Sequence, residues 1–255
     1  MHVAMQKFLW FSFFICSTYL FCIWLSPKHI LREGRLNKMK EENKTDFRIA
    51  TCMLIAFVMW TAAICFVDVQ AIGPQESTVG FATINQFVHN LAGVHMSLYT
   101  ITDWLGLVPL AFVMGFALLG LIQWIKRKHL LKVDYNILIL GGFYIVVMAV
   151  YVLFEMFVVN YRPVLINGYL EASYPSSTTM LVMCVMPTAI MQFTARIKNN
   201  VLKRFVASAI IAFIAFMAIG RFVSGVHWFT DIIGGALLSA GLVLMYRAII
   251  RLEVK

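Results

Sequence analysis

Three polar side chains with fixed spacing stand between two long apolar stretches near the C-terminus. They are Arg221, His227 and Asp231, in Gly-Arg-Phe-Val-Ser-Gly-Val-His-Trp-Phe-Thr-Asp. Arginine grips an anion through its planar fork of donors, and histidine can act as a nucleophile or base near neutral pH. If a helix begins at His227, Asp231 lies one turn away and can hold one ring nitrogen while the other attacks. The alternative is a helix connection with one charged pair at the water boundary.

A second candidate anion site lies upstream. Arg162 is followed by Pro163, and Tyr174-Pro175-Ser176-Ser177-Thr178-Thr179 directly precedes another apolar stretch. Proline followed by hydroxyl residues is typical of a helix start, where free backbone N–H groups attract anions. The pattern predicts that Ser176, Ser177 and Thr178 help Arg162 to bind an anion.

Glu155 is the one formally charged residue deep inside an apolar stretch. Ionisable residues at such positions usually face the bundle interior and mark a site. Arg162 follows seven residues later, which on a continuous helix is two turns away on about the same face. The alternative is a buried Glu–Arg pair that fixes helix packing.

The composition is that of a membrane protein. Hydrophobic residues make up 61% of the 255 residues and charged residues 13%, compared with roughly 25% charged residues in soluble domains. Seven apolar stretches have about the length that a membrane-crossing helix needs. They lie near 8–25, 49–67, 104–125, 136–159, 176–195, 205–223 and 231–250. We therefore predict an all-α polytopic protein of the cell membrane, with the lipid bilayer as its surroundings.

The basic residues predict the orientation. If the spans alternate in direction, all but three of the 21 lysines and arginines fall on one side of the membrane, the exceptions being Lys7, Arg162 and Arg221. The positive-inside rule makes that side cytoplasmic and places Arg162 and Arg221 outside. The net charge of +9 is thus explained by topology, and nothing indicates a nucleic-acid partner.

The external segment from Asp68 to Asp103 contains an amphipathic run typical of a helix lying along the interface. We expect it to cap the bundle. Its His89 and His95 are conceivable metal ligands, but no third ligand is evident, and we predict no metal site.

With these residues in place, the chain resembles the type 2 phosphatidic acid phosphatase family, relatives of the vanadium haloperoxidases. That family carries Lys, six residues, Arg-Pro; then Pro-Ser-Gly-His; then Ser-Arg, five residues, His, three residues, Asp. The corresponding residues here are Glu155 with Arg162-Pro163, then Pro175-Ser176-Ser177-Thr178, then Gly220-Arg221 with His227 and Asp231. The resemblance implies a six-helix phosphatase-like domain over residues 49–255. Residues 1–48 would then form an additional N-terminal transmembrane helix and a basic cytoplasmic linker.

The resemblance also implies roles. His227 would attack phosphorus and form a phosphohistidine, and Asp231 would orient it. Arg162, Arg221 and the backbone around Ser176 and Ser177 would hold the phosphoryl oxygens. The substrate would be a phosphorylated membrane lipid, and no metal or other cofactor would be required.

Two positions depart from the family pattern: Glu155 replaces the lysine, and Thr178 replaces the histidine that protonates the leaving group. A general acid is typically worth ~10²–10⁴ in rate. We therefore expect a preference for lipid diphosphates, including isoprenoid ones, whose leaving phosphate has a second pKa of roughly 6. Glu155 is the candidate replacement acid. The alternatives are a family member that binds phosphorylated lipid or a protein partner without turnover, and a transporter with Glu155 as a proton relay.

Overall fold

A computed structural model describes residues 32–252, with side chains described from residue 41 onward. The α-helices are α1 Arg32–Phe66, α2 Ala82–Ala92, α3 Met96–Leu105, α4 Leu107–Arg127, α5 Tyr135–Met156, α6 Ser177–Arg196, α7 Asn200–Val223 and α8 Phe229–Leu252. By its contacts the chain divides into residues 1–42 and residues 43–255, and every helix after α1 belongs to the second unit. The predicted N-terminal span at 8–25 lies outside the described residues.

Six helical segments of the described chain are long and apolar enough to cross a membrane. They are Glu41–Phe66, Met96–Arg127, Tyr135–Met156, Ser177–Arg196, Asn200–Val223 and Phe229–Leu252. The prediction of a multi-pass, all-helical membrane protein is confirmed for this part of the chain. α3 and α4 count as one span because Gly106, which joins them, has helical backbone angles.

The largest boundary difference is at α1. We predicted a span beginning near residue 49 after a basic linker, whereas the helix already begins at Arg32. The stretch before residue 48 is rich in lysine, glutamate and arginine, which are good helix formers. The apolar span therefore continues a charged helix instead of following a linker.

α6 is the central helix of the bundle. Eleven of its 20 residues are buried, compared with two of the 21 residues of α4, and it packs against both α7 and α8. Small residues allow α8 to approach its neighbours closely. A Cβ at Gly241 would lie 2.7 Å from Leu54 Cδ2, and one at Gly234 would lie 2.4 Å from Tyr174 Cε2. Glycine at these two positions therefore permits an approach that a larger residue would block.

The two ends of the bundle differ in charge. At one end, which we call the basic end, the last turns of α6 and α8 lie beside the first part of the α1 span. There Gln192 donates to the Tyr246 hydroxyl at 2.6 Å, and Arg247 Nε donates to Asp46 at 2.9 Å. The opposite end, which we call the site end, carries the connections that include Arg162 and His227.

α2 covers part of the site end, as the amphipathic run predicted. Asn85 donates to the Thr230 hydroxyl at 2.9 Å, and its carbonyl oxygen accepts from the Thr230 amide at 3.2 Å. The ring of His89 lies 5.4 Å from that of Trp228. α2 is thereby fixed to the first turn of α8. Among the side chains described, those of residues 41–252, no three from His, Cys, Asp or Glu are grouped so that they could hold a metal ion.

Candidate active site

The connection between α5 and α6 folds back as a hairpin-like loop. At its tip Asn167 and Gly168 have φ angles of 52° and 84°, the pair of positive values that an Asn-Gly type I′ turn adopts. The flanking residues Ile166 and Tyr169 exchange backbone hydrogen bonds of 3.0 and 2.9 Å. The turn therefore brings the two arms of the connection side by side.

The arms of this hairpin carry four polar residues of the site. The Arg162 amide donates to the Glu171 carbonyl at 3.0 Å, and the Ser173 amide donates to the Asn160 carbonyl at 2.9 Å. Asn160, Arg162 and Ser173 are buried. The hairpin thus pairs the backbone of Arg162 with that of Glu171 and the backbone of Ser173 with that of Asn160.

The predicted placement of Glu155 is wrong. α5 ends at Met156, so Glu155 lies in the last turn of the helix and is exposed. Because the chain leaves the helix for the hairpin, Arg162 is not two turns further along the same face. Glu155 instead lines a small cavity together with Ser173 and Ser177.

The segment between α7 and α8 places Arg221 and His227. Arg221 belongs to the last turn of α7, and the Ser224 hydroxyl donates to its carbonyl at 2.8 Å. Gly225 has a φ of 68°, and a Cβ there would lie 2.0 Å from the Gly93 carbonyl oxygen. Both the left-handed conformation and the close approach require glycine. This turn aims His227 inward just before α8 begins.

His227 is buried and held by both of its ring nitrogens. Nδ1 lies 3.0 Å from the Ser173 hydroxyl and 3.2 Å from the Ser173 carbonyl oxygen, and Nε2 lies 3.5 Å from Arg162 Nη1. A carbonyl only accepts and a guanidinium only donates. Both contacts therefore favour one tautomer, with the proton on Nδ1 and a lone pair on Nε2. The sequence predicted one ring nitrogen with a free lone pair, and the structure identifies it as Nε2, which faces Arg162.

Burial lowers the pKa of His227 well below its ordinary value, and the charges of Arg162 and Arg221 lower it further. Each of these causes disfavours the imidazolium form. His227 is therefore neutral at neutral pH, which is the protonation state of a nucleophile or a general base.

Asp231 does not hold His227 directly, in contrast to our prediction. Its Oδ2 accepts from the Trp228 amide at 2.9 Å and from the Ser173 hydroxyl, while Oδ1 accepts from the Asn160 side chain at 3.2 Å. The carboxylate thus closes the first turn of α8 and contacts Ser173, which in turn contacts the imidazole. The one-turn spacing of His227 and Asp231 is real, but a serine lies between them.

Arg162 and Arg221 converge on one aromatic ring. Their guanidinium carbons lie 5.9 and 5.0 Å from the centroid of Tyr99. Both arginines are buried, and the Nε atom of each makes no hydrogen bond within the described residues. Two buried cations close together repel each other and have lost hydration, which an anion bound between them offsets.

Each arginine also has a carboxylate neighbour. Arg221 Nη2 donates to Asp103 at 3.1 Å and to the Thr178 hydroxyl. Arg162 Nε lies 3.1 Å from Glu171 in an ion pair that lacks the alignment of a hydrogen bond. Asp103 and Glu171 are the solvent-facing members of these pairs. Thr178, which stands where the resembled family has histidine, is thus a hydrogen-bond acceptor for Arg221.

Some polar groups at the start of α6 already make hydrogen bonds within the protein. The Ser176 amide donates to the Asp231 carbonyl at 3.2 Å, and the Ser176 hydroxyl lies 3.0 Å from that of Thr179. Our expectation that the Ser176 backbone binds an anion is therefore wrong. The amides of Ser177 and Thr178 open the helix, where no carbonyl four residues earlier is available within it.

The structure thus brings together Arg162, Thr178, Arg221, His227 and Asp231. Sequence reasoning missed Asn160, Glu171 and Ser173, although the Asn167-Gly168 pair is a strong hairpin signal that would have placed them. It also missed Tyr99 and Asp103. They lie in α3, more than 100 residues before Arg221, and no local pattern connects them with it.

Comparison with known proteins agrees with this fold. Residues 136–254 match the model of the PAP2 superfamily, and that segment contains Arg162, Thr178, Arg221, His227 and Asp231. The chain is a multi-pass membrane protein, and its part from residue 136 to residue 254 is similar to the PAP2 superfamily. α3, with Tyr99 and Asp103, lies before the matched segment.

A solved structure resembles the chain over most of its length. It is the transmembrane PAP2 type phosphatidylglycerolphosphate phosphatase from Bacillus subtilis, with a TM-score of 0.55 and 16% sequence identity over 80% of this chain and 96% of that one. The likeness confirms the membrane fold. No curated protein matches the chain in sequence.

Proposed function

We propose that the chain is an integral membrane phosphatase that hydrolyses lipid phosphates or diphosphates through a phosphohistidine intermediate. One observation carries the proposal. Two buried arginines flank Tyr99, and the Nε of each makes no hydrogen bond to the described part of the chain. One of them, Arg162, faces the unprotonated Nε2 of His227. This arrangement offers positive charge to a phosphoryl group and a nitrogen lone pair to its phosphorus.

Phosphoryl transfer depends mostly on positioning and on stabilising charge. In the proposed reaction His227 Nε2 attacks phosphorus, an N–P bond forms, and the bond from phosphorus to the leaving oxygen breaks. Arg162 and Arg221 stabilise the charge on the equatorial oxygens. Water then attacks the phosphohistidine, which releases phosphate and returns His227 to its neutral form.

The leaving oxygen determines which lipid suits this site. Thr178 stands where the resembled family has its proton donor, and a threonine hydroxyl is not an ordinary acid at neutral pH. A lipid monophosphate must expel an alkoxide, whereas a diphosphate expels a phosphate whose second pKa is about 6. We therefore propose lipid diphosphates, including isoprenoid ones, as the better substrates.

We place the reaction at the non-cytoplasmic face, because the basic end of the bundle is expected to be cytoplasmic. Single cysteines at Tyr169, which is 74% exposed at the site end, and at Lys198, which is exposed between α6 and α7, test this orientation. In a chain without its five native cysteines, an impermeant reagent should label Tyr169→Cys in intact cells. Lys198→Cys should be labelled only after the membrane is opened, and the reverse pattern would contradict the orientation.

The activity is tested by phosphate release from purified protein. The substrates are a phosphatidic acid, phosphatidylglycerolphosphate and an isoprenoid diphosphate, the second because the solved relative is named for it. We expect release from at least one lipid, fastest from the diphosphate. His227→Ala should remove release altogether, whereas His129→Ala, at the basic end, should keep it. A His227→Ala variant that retains most of the rate would refute the mechanism.

A second function is favoured by Thr178 in place of the usual histidine: binding of phosphorylated lipid without turnover. It predicts no phosphate release by the wild type on any of the lipids. It also predicts that vesicles containing a lipid phosphate are retained by the wild type and released when both Arg162 and Arg221 are replaced by glutamine.

A Thr178→His variant addresses the leaving group. If proton donation limits monophosphate hydrolysis, the rate on monophosphate should rise selectively relative to a diphosphate with the same tail. Equal wild-type rates on both lipids, with no selective gain in the variant, would show that leaving-group protonation is not the limiting step.

A further inference from the structure

Ser173 occupies the space between the acid and the histidine of the site. Its hydroxyl donates to Asp231 Oδ2 and lies 3.0 Å from His227 Nδ1, and its carbonyl oxygen lies 3.2 Å from the same nitrogen. Ser173 is 2% exposed and His227 4%, so water does not compete strongly for these contacts. One residue thus presents two oxygens to one ring nitrogen.

The direction of the hydrogen bonds follows from the chemistry of each group. An ionised carboxylate only accepts, so the Ser173 hydroxyl proton points to Asp231. The Ser173 hydroxyl oxygen keeps lone pairs that can accept from the Nδ1–H of His227. The Ser173 carbonyl oxygen has no proton to donate, so its contact with Nδ1 also requires the proton to be on that nitrogen. The donors run in one direction, from His227 to Ser173 and from Ser173 to Asp231.

The other contacts of Asp231 explain why it does not reach the imidazole. Its two oxygens already accept from the Trp228 amide at 2.9 Å and from the Asn160 side chain at 3.2 Å. These bonds orient the carboxylate toward the start of α8 and toward the hairpin. Ser173, on the second arm of the hairpin, bridges the remaining distance to the ring.

We propose that Ser173 is the positioning residue of the nucleophile and that Asp231 acts on His227 through it. This inference rests on the proposed function. When Nε2 forms its bond to phosphorus, the ring becomes cationic, Nδ1 keeps its proton, and the hydrogen bond to Ser173 strengthens. Asp231 polarises the Ser173 hydroxyl and so stabilises that cation, with no proton transferred between the three residues.

The kinetic test uses Ser173→Ala, Asp231→Asn and the double variant. Because the carbonyl still holds Nδ1 in Ser173→Ala, we expect kcat to fall by about 10–100-fold with little change in KM. Loss of a directly bonded carboxylate in a Ser-His-Asp triad costs ~10⁴-fold. If Asp231 acts through Ser173, the double variant should lose far less than the product of the two single losses. Losses that multiply, or a change confined to KM, would overturn the proposal.

A matched control separates this role from the packing of a small buried residue. Ser239→Ala removes another fully buried serine hydroxyl, one that donates to the Met180 carbonyl at 3.2 Å within the helix bundle. It should leave kcat within about twofold, since it leaves His227 untouched. Equal losses in Ser239→Ala and Ser173→Ala would mean that the effect of Ser173 is structural.

A second readout does not depend on turnover. In protein labelled with ¹⁵N-histidine, the His227 signals are identified among those of the six histidines by their absence in His227→Gln. We expect the Nδ1-protonated tautomer in both proteins, because the Ser173 carbonyl and Arg162 remain, and faster exchange of the Nδ1 proton in Ser173→Ala. Identical His227 signals in both proteins would overturn the inference even if the wild type hydrolyses lipids. Faster Nδ1 exchange in Ser173→Ala, found together with a wild type that releases no phosphate, would support the inference while the phosphatase function fails.

Discussion

Arginine and carboxylate side chains meet at both ends of the bundle, but the buried partner differs. At the basic end the acid is buried. The Asp46 side chain is 7% exposed and accepts from Arg247 and from Arg251, the latter at 2.7 Å, and those arginines are 15% and 35% exposed. One carboxylate is thus enclosed by two cations that keep some contact with water.

At the site end the cations are buried instead. The side chains of Arg162 and Arg221 are 9% and 1% exposed, whereas their partners Glu171 and Asp103 are 41% and 56% exposed. A half-exposed acid can turn into water at little cost because solvent screens the pair. A buried arginine that loses its partner needs another anion.

The comparison indicates that the same pair of residue types serves two purposes. The Asp46 cluster ties α1 to α8 and leaves no place for a ligand anion, since its buried member is itself the anion. The Arg162 and Arg221 pairs keep two cations at the site with partners that a phosphate can displace. We call the Asp46 cluster closed, and we call the Arg162 and Arg221 pairs exchangeable. Substitutions in each test this distinction.

The largest expected effect is the loss of a site arginine. Arg221→Gln should reduce kcat/KM on a lipid diphosphate by about 10²–10³-fold, the usual cost of removing one donor to a transition-state oxyanion. Arg251→Gln, which removes one arginine from the Asp46 cluster, should leave kcat/KM within about threefold. Initial-rate kinetics on both variants decides the matter. Similar losses in the two would mean that the clusters do not differ in function.

The next effect is on stability and should be confined to the basic end. Asp46→Asn leaves Arg247 and Arg251 facing each other without their shared anion, and breaking such a buried pair costs about 3–5 kcal/mol. Because Arg251 is partly exposed, we expect the lower part of that range. Thermal unfolding in detergent should show a clear drop in Tm, while kcat of the folded fraction stays near wild type. An unchanged Tm would contradict the closed-cluster interpretation.

The sequence predicted the helices better than it predicted the site. Six of the predicted apolar stretches correspond to the six candidate spans of the described residues. Length and hydropathy are enough to predict such spans, because they depend little on tertiary contacts. Arg221, His227 and Asp231 came together for the same local reason, since a short turn and one helical turn separate them. The expected helix through Arg162 failed because the Asn167-Gly168 turn imposed a hairpin.

The features that the sequence did not predict depend on distant parts of the chain. Asp103 contacts Arg221 at 3.1 Å from α3, and Ser173 reaches His227 from the hairpin. Neither contact leaves a periodic signal, because each is made by one residue on an element packed against another. The spacing of Asp231 and His227 suggested a direct hydrogen bond between them. That prediction was wrong because Ser173, from the distant hairpin, lies between the two side chains.

A third effect concerns the acid limb of the pH–rate profile. Burial, Arg162 and Arg221 all lower the pKa of His227, and the neutral ring is the nucleophile. The wild type should therefore keep its kcat/KM as the pH falls through about 6.5, the ordinary histidine value, and lose it only below the lowered pKa. Arg162→Gln removes one lowering charge, so its acid limb should move to higher pH.

Arg196→Gln, at the basic end, is the control for this shift, because its charge is far along the bundle from His227. Its acid limb should coincide with that of the wild type. A wild-type limb centred near 6.5, or an Arg162→Gln limb at lower pH, would show that the protonation of His227 does not govern the rate in this range.

The smallest effect concerns the exchangeable carboxylate itself. Asp103→Asn removes the anion that competes with phosphate for Arg221, and because Asp103 is 56% exposed its contribution is about 0.2–1 kcal/mol. We expect inorganic phosphate to inhibit two- to fivefold more strongly, with kcat nearly unchanged. Asp134→Asn is the control, because Asp134 is 44% exposed and makes a 2.8 Å pair with Arg127 at the basic end. Weaker phosphate inhibition in Asp103→Asn would mean that Asp103 holds Arg221 in its binding position and that phosphate does not displace it.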